Sequence, residues 1–241
     1  MSGLGQQHRD RIAANWAAVV NDVANAATAA GRSPGDVKII GVTKYVDAET
    51  TAALVDAGCY DLGENRPQVL WEKAESEWID DSVRWHIIGH LQRNKVRRTL
   101  RHSPIIHSID SSRLLDAIAT ESVAQNKTTD AMLEVNISGD DAKTGMNVDE
   151  LKSLLEKFGP SAGGVRVIGL MAMAGWGTEV DQARDQFAKV RALSDQLKDQ
   201  TEHPLTELSM GMSGDFQAAI AEGSTMVRIG SRLFEGVMDA H

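Results

Sequence analysis

Val37-Lys38-Ile39-Ile40-Gly41-Val42-Thr43 is a short β-branched, apolar run, and the residues after it, Ala48 to Ala57 closed by Gly58, carry helical spacing. A run of strand length followed by a glycine-terminated helix is one strand–helix unit. The unit recurs along the chain. Tyr60 to Leu62 reads as a strand before a helix from Pro67 to Trp78, and Arg84 to Ile88 before a helix through Gln92–Leu100. Ile105 to Ile109 leads through a cap at Asp110 or Ser111 into a fourth helix. Ala131 to Ile137 precedes a helix from Val148 to Phe158, and Val165 to Met171 a long helix from Glu179 to Gln200. Leu205 to Met210 is a weaker strand before Asp215–Ala221, and Met226 to Ile229 is the last, followed by a short helical tail.

Ahead of these units, Ile12, Trp16, Val19, Val20, Val23 and Ala27 predict a helix that stops at Gly31, with Pro34 just beyond. Strands separated by helices pair in parallel through right-handed crossovers. Eight units in roughly 200 residues predict a single (β/α)₈ TIM-type barrel, one domain over residues 1–241 with an extra N-terminal helix. An open doubly wound sheet is the alternative that a strand count leaves standing. Gly159-Pro-Ser-Ala-Gly-Gly164 is short enough to be a barrel turn rather than a linker.

Composition narrows the function classes. The 241 residues carry 25 Lys+Arg against 34 Asp+Glu, a net charge of −9, which argues against a nucleic-acid partner. The local exception, Arg93, Lys95, Arg97, Arg98 and Arg101, reads by default as a solvated face, with a docking surface as the alternative. With 42% hydrophobic and 24% charged residues, wholesale disorder is excluded. A single cysteine, Cys59, excludes an internal disulfide framework and fits a cytoplasmic protein. No apolar run approaches the roughly 20 residues of a membrane helix. Asn15, Asn21, Asp22 and Asn25 interrupt the Ala-rich N-terminus, which therefore does not read as a signal peptide. A monomer without membrane contact is the expectation.

In such barrels the chemistry gathers at the C-terminal ends of the strands. Lys44 follows the first strand directly. A lysine at a barrel mouth, partly desolvated, can attack an aldehyde to form a Schiff base; taken alone, a solvated strand-end lysine is the plainer reading. After strand seven, Gly211, Ser213 and Gly214 offer backbone N–H groups to an anion, and Ser213 could cap the next helix. Gly230 and Ser231 repeat that chemistry after strand eight, and these two loops are the recurrent phosphate site of the fold. A lysine opposite a phosphate cradle points to pyridoxal phosphate or a phosphosugar.

Ile40-Gly-Val-Thr-Lys44, Gly63-Glu-Asn-Arg66, Trp85-His-Ile-Ile-Gly-His-Leu-Gln92 with Asn94-Lys95, Val135-Asn-Ile-Ser138, Lys143-Thr-Gly145, Leu208-Ser-Met-Gly-Met-Ser213 and Val227-Arg-Ile-Gly230 occur in one order. Together they closely resemble the pyridoxal-phosphate homeostasis proteins (the YggS/PROSC family), relatives of the alanine racemase barrel, from about Val37 to Phe234. The resemblance implies that Lys44 holds pyridoxal 5′-phosphate as a Schiff base. It implies that Ser209, Gly211, Ser213, Gly230 and Ser231 contact the phosphate and that Arg228 faces the pyridine nitrogen. It further implies that Asn65 and His90 lie near the ring, and that Lys143 is a secondary lysine for the cofactor. The chain departs from many relatives at Tyr45-Val46, where they carry a second lysine.

A guanidinium beside the ring nitrogen opposes its protonation and weakens the ring as an electron sink. Racemisation also needs an acid/base on the opposite face. Of the two tyrosines, Tyr60 starts a strand away from the mouth and Tyr45 is expected to point away from the ring. The expectation is therefore a carrier and buffer of pyridoxal phosphate in intracellular cofactor homeostasis, with recipient apoenzymes as partners, no efficient catalysis and no catalytic residue. The alternatives are a low-activity amino-acid racemase or other pyridoxal-phosphate enzyme, and a Schiff-base phosphosugar aldolase or isomerase. The seven histidines show no metal spacing; His86 reads as a satisfied core residue, Met171 and Met173 as packing, and Cys59 as structural.

Overall fold

The computed structural model describes residues 4–137, 144–160, 162–175, 177 and 179–237. Eight strands close into one barrel in chain order: β1 (Lys38–Val42), β2 (Asp61–Glu64), β3 (Arg84–Ile87), β4 (Ile105–Ile109), β5 (Thr129–Glu134), β6 (Val165–Met171), β7 (Glu207–Met212) and β8 (Met226–Ile229). Neighbours pair in parallel throughout, and β8 closes on β1 with Ile40 opposite Arg228. Closure removes the open doubly wound sheet from consideration.

The helices are α1 (Gln6–Ala29), α2 (Ala48–Asp56), α3 (Pro67–Ala74), α4 (Val96–Thr99), α5 (Ser112–Ala124), α6 (Val148–Lys157), α7 (Val180–Gln200) and α8 (Phe216–Ala221). The expected helical tail after β8 is a 3₁₀ turn, Ser231–Phe234. The leading helix α1 packs against α8, α2 and that turn, so it fills the eighth outer position of the ring. Asn15 on α1 donates to the carbonyls of Leu233 and Glu235, and Arg232 pairs with Asp22.

Several boundaries differ from the sequence reading: α3 ends at Ala74 rather than Trp78, and β2 runs from Asp61 to Glu64 rather than Tyr60 to Leu62. The basic stretch is broken into a 3₁₀ turn, the four residues of α4 and a second 3₁₀ turn. β5 stops at Glu134 because Val135 leaves to bridge Met146. β7 begins at Glu207, not Leu205, because Leu205 adopts a left-handed backbone (φ 37°) that no strand accommodates.

Apolar side chains form two bodies. One lies between the sheet and the helices; the other, Ile40, Ile105, Met132, Ile168, Met171 and Met226, plugs the barrel. Cys59 is a free thiol in the outer body, pushed up to about 12 by burial, which fits the structural role expected. Met171 is core as read, whereas Met173 is 43% exposed.

Candidate functional site

The loops after β7 and β8 meet. The Ser213 hydroxyl accepts the Gly230 N–H at 3.3 Å. Gly211 has φ 88°, and a Cβ there would lie 2.6 Å from Ala219 Cβ, so only glycine lets the loop turn back over α8. Gly214 faces open space, and Ser231 is exposed. Ser213 does not cap the helix as expected. Asp215 occupies the N-cap position, and its carboxylate instead accepts the Met212 N–H at 2.6 Å. Gly230 sits against Val42, which brings this pair of loops beside the end of β1.

Lys44 lies in the turn that leaves β1. Its ammonium is 4.9 Å from the ring centre of Tyr45, which is itself 75% exposed. The turn rests on a buried ion pair. Lys73 on α3 donates to Glu64 Oε1 at 2.6 Å and to the Thr43 carbonyl at 2.7 Å, and the Thr43 hydroxyl donates to the same Glu64 oxygen at 2.6 Å. Burial lowers the Lys73 pKa, and the Glu64 charge and hydrogen bond oppose that shift.

Arg228 is buried inside the mouth and held by three donations: to the Ser209 carbonyl (2.7 Å), the Ser209 hydroxyl (2.6 Å) and the Ala172 carbonyl (3.0 Å). Burial lowers its pKa to about 10, against the pull of Asp215 and Glu134, so it remains a cation near neutral pH. Ser209 thus lies beneath Arg228 within β7 with its hydroxyl engaged, rather than on the anion-facing loop.

On the other side of the mouth, His90 is bonded to Asp110 at 2.8 Å and stands 60% exposed at the rim. Asn65 is half-buried, and its backbone presses on Gly89, where a Cβ would lie 2.5 Å from the Asn65 carbonyl oxygen. Glu134, at the end of β5, accepts the Thr144 hydroxyl at 2.5 Å. Burial raises its pKa, with the neighbouring Asp110 adding to the rise. Tyr60 sits at the opposite, N-terminal end of β2, as read. Lys143 lies outside the described residues.

The structure therefore places Lys44, Gly211, Ser213, Arg228, Gly230 and Ser231 at the β1–β8–β7 side of one mouth, with Asn65 and His90 on loops two and three. Sequence reading missed Lys73, Glu134 and His107. Lys73 had a signal, since Pro67, Leu70 and Lys73 share one buried helical face. His107 had one too, as a polar residue inside the apolar run Ile105–Ile109. His86 is satisfied on both ring nitrogens, as expected of a core histidine. Among the described residues, no three His, Cys, Asp or Glu side chains gather as a metal set, and no helix is long and apolar enough to cross a membrane.

The family model "Alanine racemase, N-terminal domain" matches residues 9–236. The pyridoxal phosphate homeostasis protein of Aquifex aeolicus is 37% identical over 216 residues, covering 90% of this chain and 94% of that protein. A protein of unknown function from Bifidobacterium adolescentis is 31% identical, with a TM-score of 0.88 over 97% of this chain and 98% of its own. PipY of Synechococcus elongatus, solved with PLP bound, is 32% identical, with a TM-score of 0.78 over 88% of this chain and 99% of its own.

Proposed function

Because the chain belongs to the alanine racemase N-terminal domain family and, within it, to the pyridoxal phosphate homeostasis proteins, we propose that its barrel mouth binds pyridoxal 5′-phosphate to carry and buffer it. The observation that carries this reading is the meeting of two glycine-opened loops beside a buried guanidinium, with a lysine on the adjoining strand end. When bound, the cofactor supplies an aldehyde that condenses with a primary amine, losing water, and a ring that withdraws electrons.

The chain's own residues divide the work. Lys44 offers the amine. Gly211, Ser213, Gly230 and Ser231 hold the phosphate, chiefly through backbone N–H groups. Arg228, pinned by Ser209 and Ala172, sets a fixed cation against the ring nitrogen. Ser209 serves that cation rather than the phosphate. Asn65 and His90 border the ring, with His90 oriented by Asp110. A cation that stays charged discourages ring protonation, which favours holding the cofactor over using it. The buffered cofactor would pass to recipient apoenzymes in the cytoplasm.

The test is covalent fixation. Borohydride treatment of protein incubated with pyridoxal phosphate should place the label on Lys44, and Lys44→Ala should lose it. A full label in that variant refutes the assignment. One observation favours the second reading, a low-activity amino-acid racemase: Glu134 is a carboxyl of raised pKa at the same mouth. Exchange of the α-proton of L-alanine in deuterated water, abolished by Glu134→Gln, would promote it.

A further inference from the structure

Arg228, Ser209, His107, His86 and Asp61 form one unbroken hydrogen-bonded chain through the barrel, from the mouth to the start of β2. Chemistry fixes its direction. The Asp61 carboxylate only accepts, so His86 Nε2, at 3.0 Å, carries the proton. A neutral His86 then offers Nδ1 as an acceptor, and His107 Nε2 must donate to it at 2.9 Å. His107 is left with Nδ1 to accept the Ser209 hydroxyl at 2.8 Å. The Ser209 oxygen, having donated, accepts Arg228 Nη1 at 2.6 Å. Every donor points away from the mouth.

Both rings are fully buried, and burial disfavours the charged form of each. An added proton on His86 Nδ1 would set two donors face to face, and one on His107 Nδ1 would force the Ser209 hydroxyl to turn from donor to acceptor. The charged groups around the chain are few. Lys38 on β1 and Arg84 on β3 flank Asp61 at 4.0 and 3.5 Å, while Glu134 and Asp215 act on Arg228 from the mouth. Lys38 and Arg84 also line an open cavity of about 550 Å³ at the N-terminal ends of the strands, and Asp61, paired with both, is itself part-exposed there.

We propose that Asp61, His86 and His107 are positioning residues for Arg228, a one-way relay that fixes the guanidinium and couples it to the charge state of the opposite barrel face. The relay rests on the reading of the mouth as the pyridoxal phosphate site, and the experiment separates the two. Ring nitrogens of ¹⁵N-labelled full-length protein, without added cofactor, are read by proton–nitrogen correlation NMR in wild type and Asp61→Asn. In the wild type, both rings should be neutral and protonated on Nε2 near neutral pH. In Asp61→Asn the carboxamide can turn its NH₂ toward His86. His107, which does not touch residue 61, should then gain protonation on Nδ1. A wild-type His107 protonated on Nδ1, or a His107 indifferent to Asp61→Asn, overturns the relay.

Titration with pyridoxal phosphate completes the test. Asp61→Asn and His107→Phe should each bind about three- to tenfold more weakly, the loss of one buried hydrogen bond's worth of positioning. The pH at which the bound chromophore changes form should also shift. Unchanged affinity and pH profile in Asp61→Asn overturn the relay while leaving the cofactor reading intact. A wild type with no borohydride-fixable cofactor overturns the cofactor reading, and the NMR result still decides the relay. Should His107→Phe fail to fold, Asp61→Asn, altered only at a part-exposed strand end, carries the decision.

Discussion

Replacing Lys73 with Met strands a charge. The substitution keeps an unbranched chain of similar length, so the cavity cost is small. What disappears are the donations to Glu64 and to the Thr43 carbonyl, at a site where Lys73 is 2% and Glu64 0% exposed. Glu64 would keep only the Thr43 hydroxyl, and its other carboxylate oxygen has no hydrogen-bond partner to begin with. Removing one partner of a buried pair costs about 3–5 kcal/mol, a large share of a domain stability of about 5–15 kcal/mol. Removing the stranded charge as well reverses most of that loss. Lys73→Met with Glu64→Gln should lie within about 2 kcal/mol of wild type, since an uncharged replacement of a buried pair is often near neutral. Urea unfolding of the wild type, both single variants and the double variant closes the cycle. A Lys73→Met cost below about 1 kcal/mol, the range of an exposed pair, would refute the reasoning, as would a double variant less stable than Lys73→Met alone. Because the ammonium also anchors the carbonyl of Thr43, Lys73→Met should slow attachment of pyridoxal phosphate at the neighbouring Lys44.

Gly211→Ala should destabilise the fold by about 1–3 kcal/mol, from a φ of 88° and a Cβ forced against Ala219 and Phe216, measured by the same unfolding assay with loss of cofactor affinity alongside. Pyridoxal lacking the phosphate should bind far more weakly than pyridoxal phosphate, and Ser213→Ala should weaken binding only modestly, since its hydroxyl is one contact among backbone donors; equal affinities for the two compounds in a titration would reduce the glycine loops to turns. Burial lowers the pKa of both His86 and His107. As pH falls through about 6.5 the unfolded rings therefore take up protons before the folded rings do, and stability falls with falling pH. His107→Phe should flatten that slope, and an unchanged slope would mean that the folded ring takes up its proton over the same pH range as the unfolded one. Arg98→Ala should cost less than about 1 kcal/mol in the unfolding assay, because its pair with Glu75 and its stacking on Trp71 sit at the surface.

Legibility followed the range of the interactions involved. Ile105–Ile109, Val165–Met171 and Met226–Ile229 were readable to the residue because each is a dense apolar run flanked by polar or turn residues. The start of β7 was not, because the left-handed backbone at Leu205 is imposed by tertiary packing on a residue that rarely adopts it. Lys44 and the glycines stood out by breaking the local pattern at strand ends. The polar interior did not. His107 finds Ser209 across 102 residues, and the value of Ser209 to Arg228 exists only once β7 and β8 are side by side. Lys73 lies only nine residues from Glu64, yet its helix must first dock before the pair forms.

The helix that fills the eighth outer position comes from the opposite end of the chain from the strand it covers. Asn15 reaches carbonyls 218 and 220 residues away, so the barrel's closure is among its most sequence-distant events. Such contacts come at a high entropic cost in folding and tend to slow it. The β8–β1 seam is thus expected to close late and to open first. Arg228, Gly230 and Ser231 all lie on or just past β8. A ligand spanning these residues and Lys44 bridges the seam, and at a hundredfold excess over its Kd it adds about 2.7 kcal/mol to the closed state. If the mouth holds pyridoxal phosphate as proposed, a chain still being synthesised lacks Arg228, Gly230 and Ser231 until its last strand emerges, so capture of the reactive aldehyde should report that the barrel has closed.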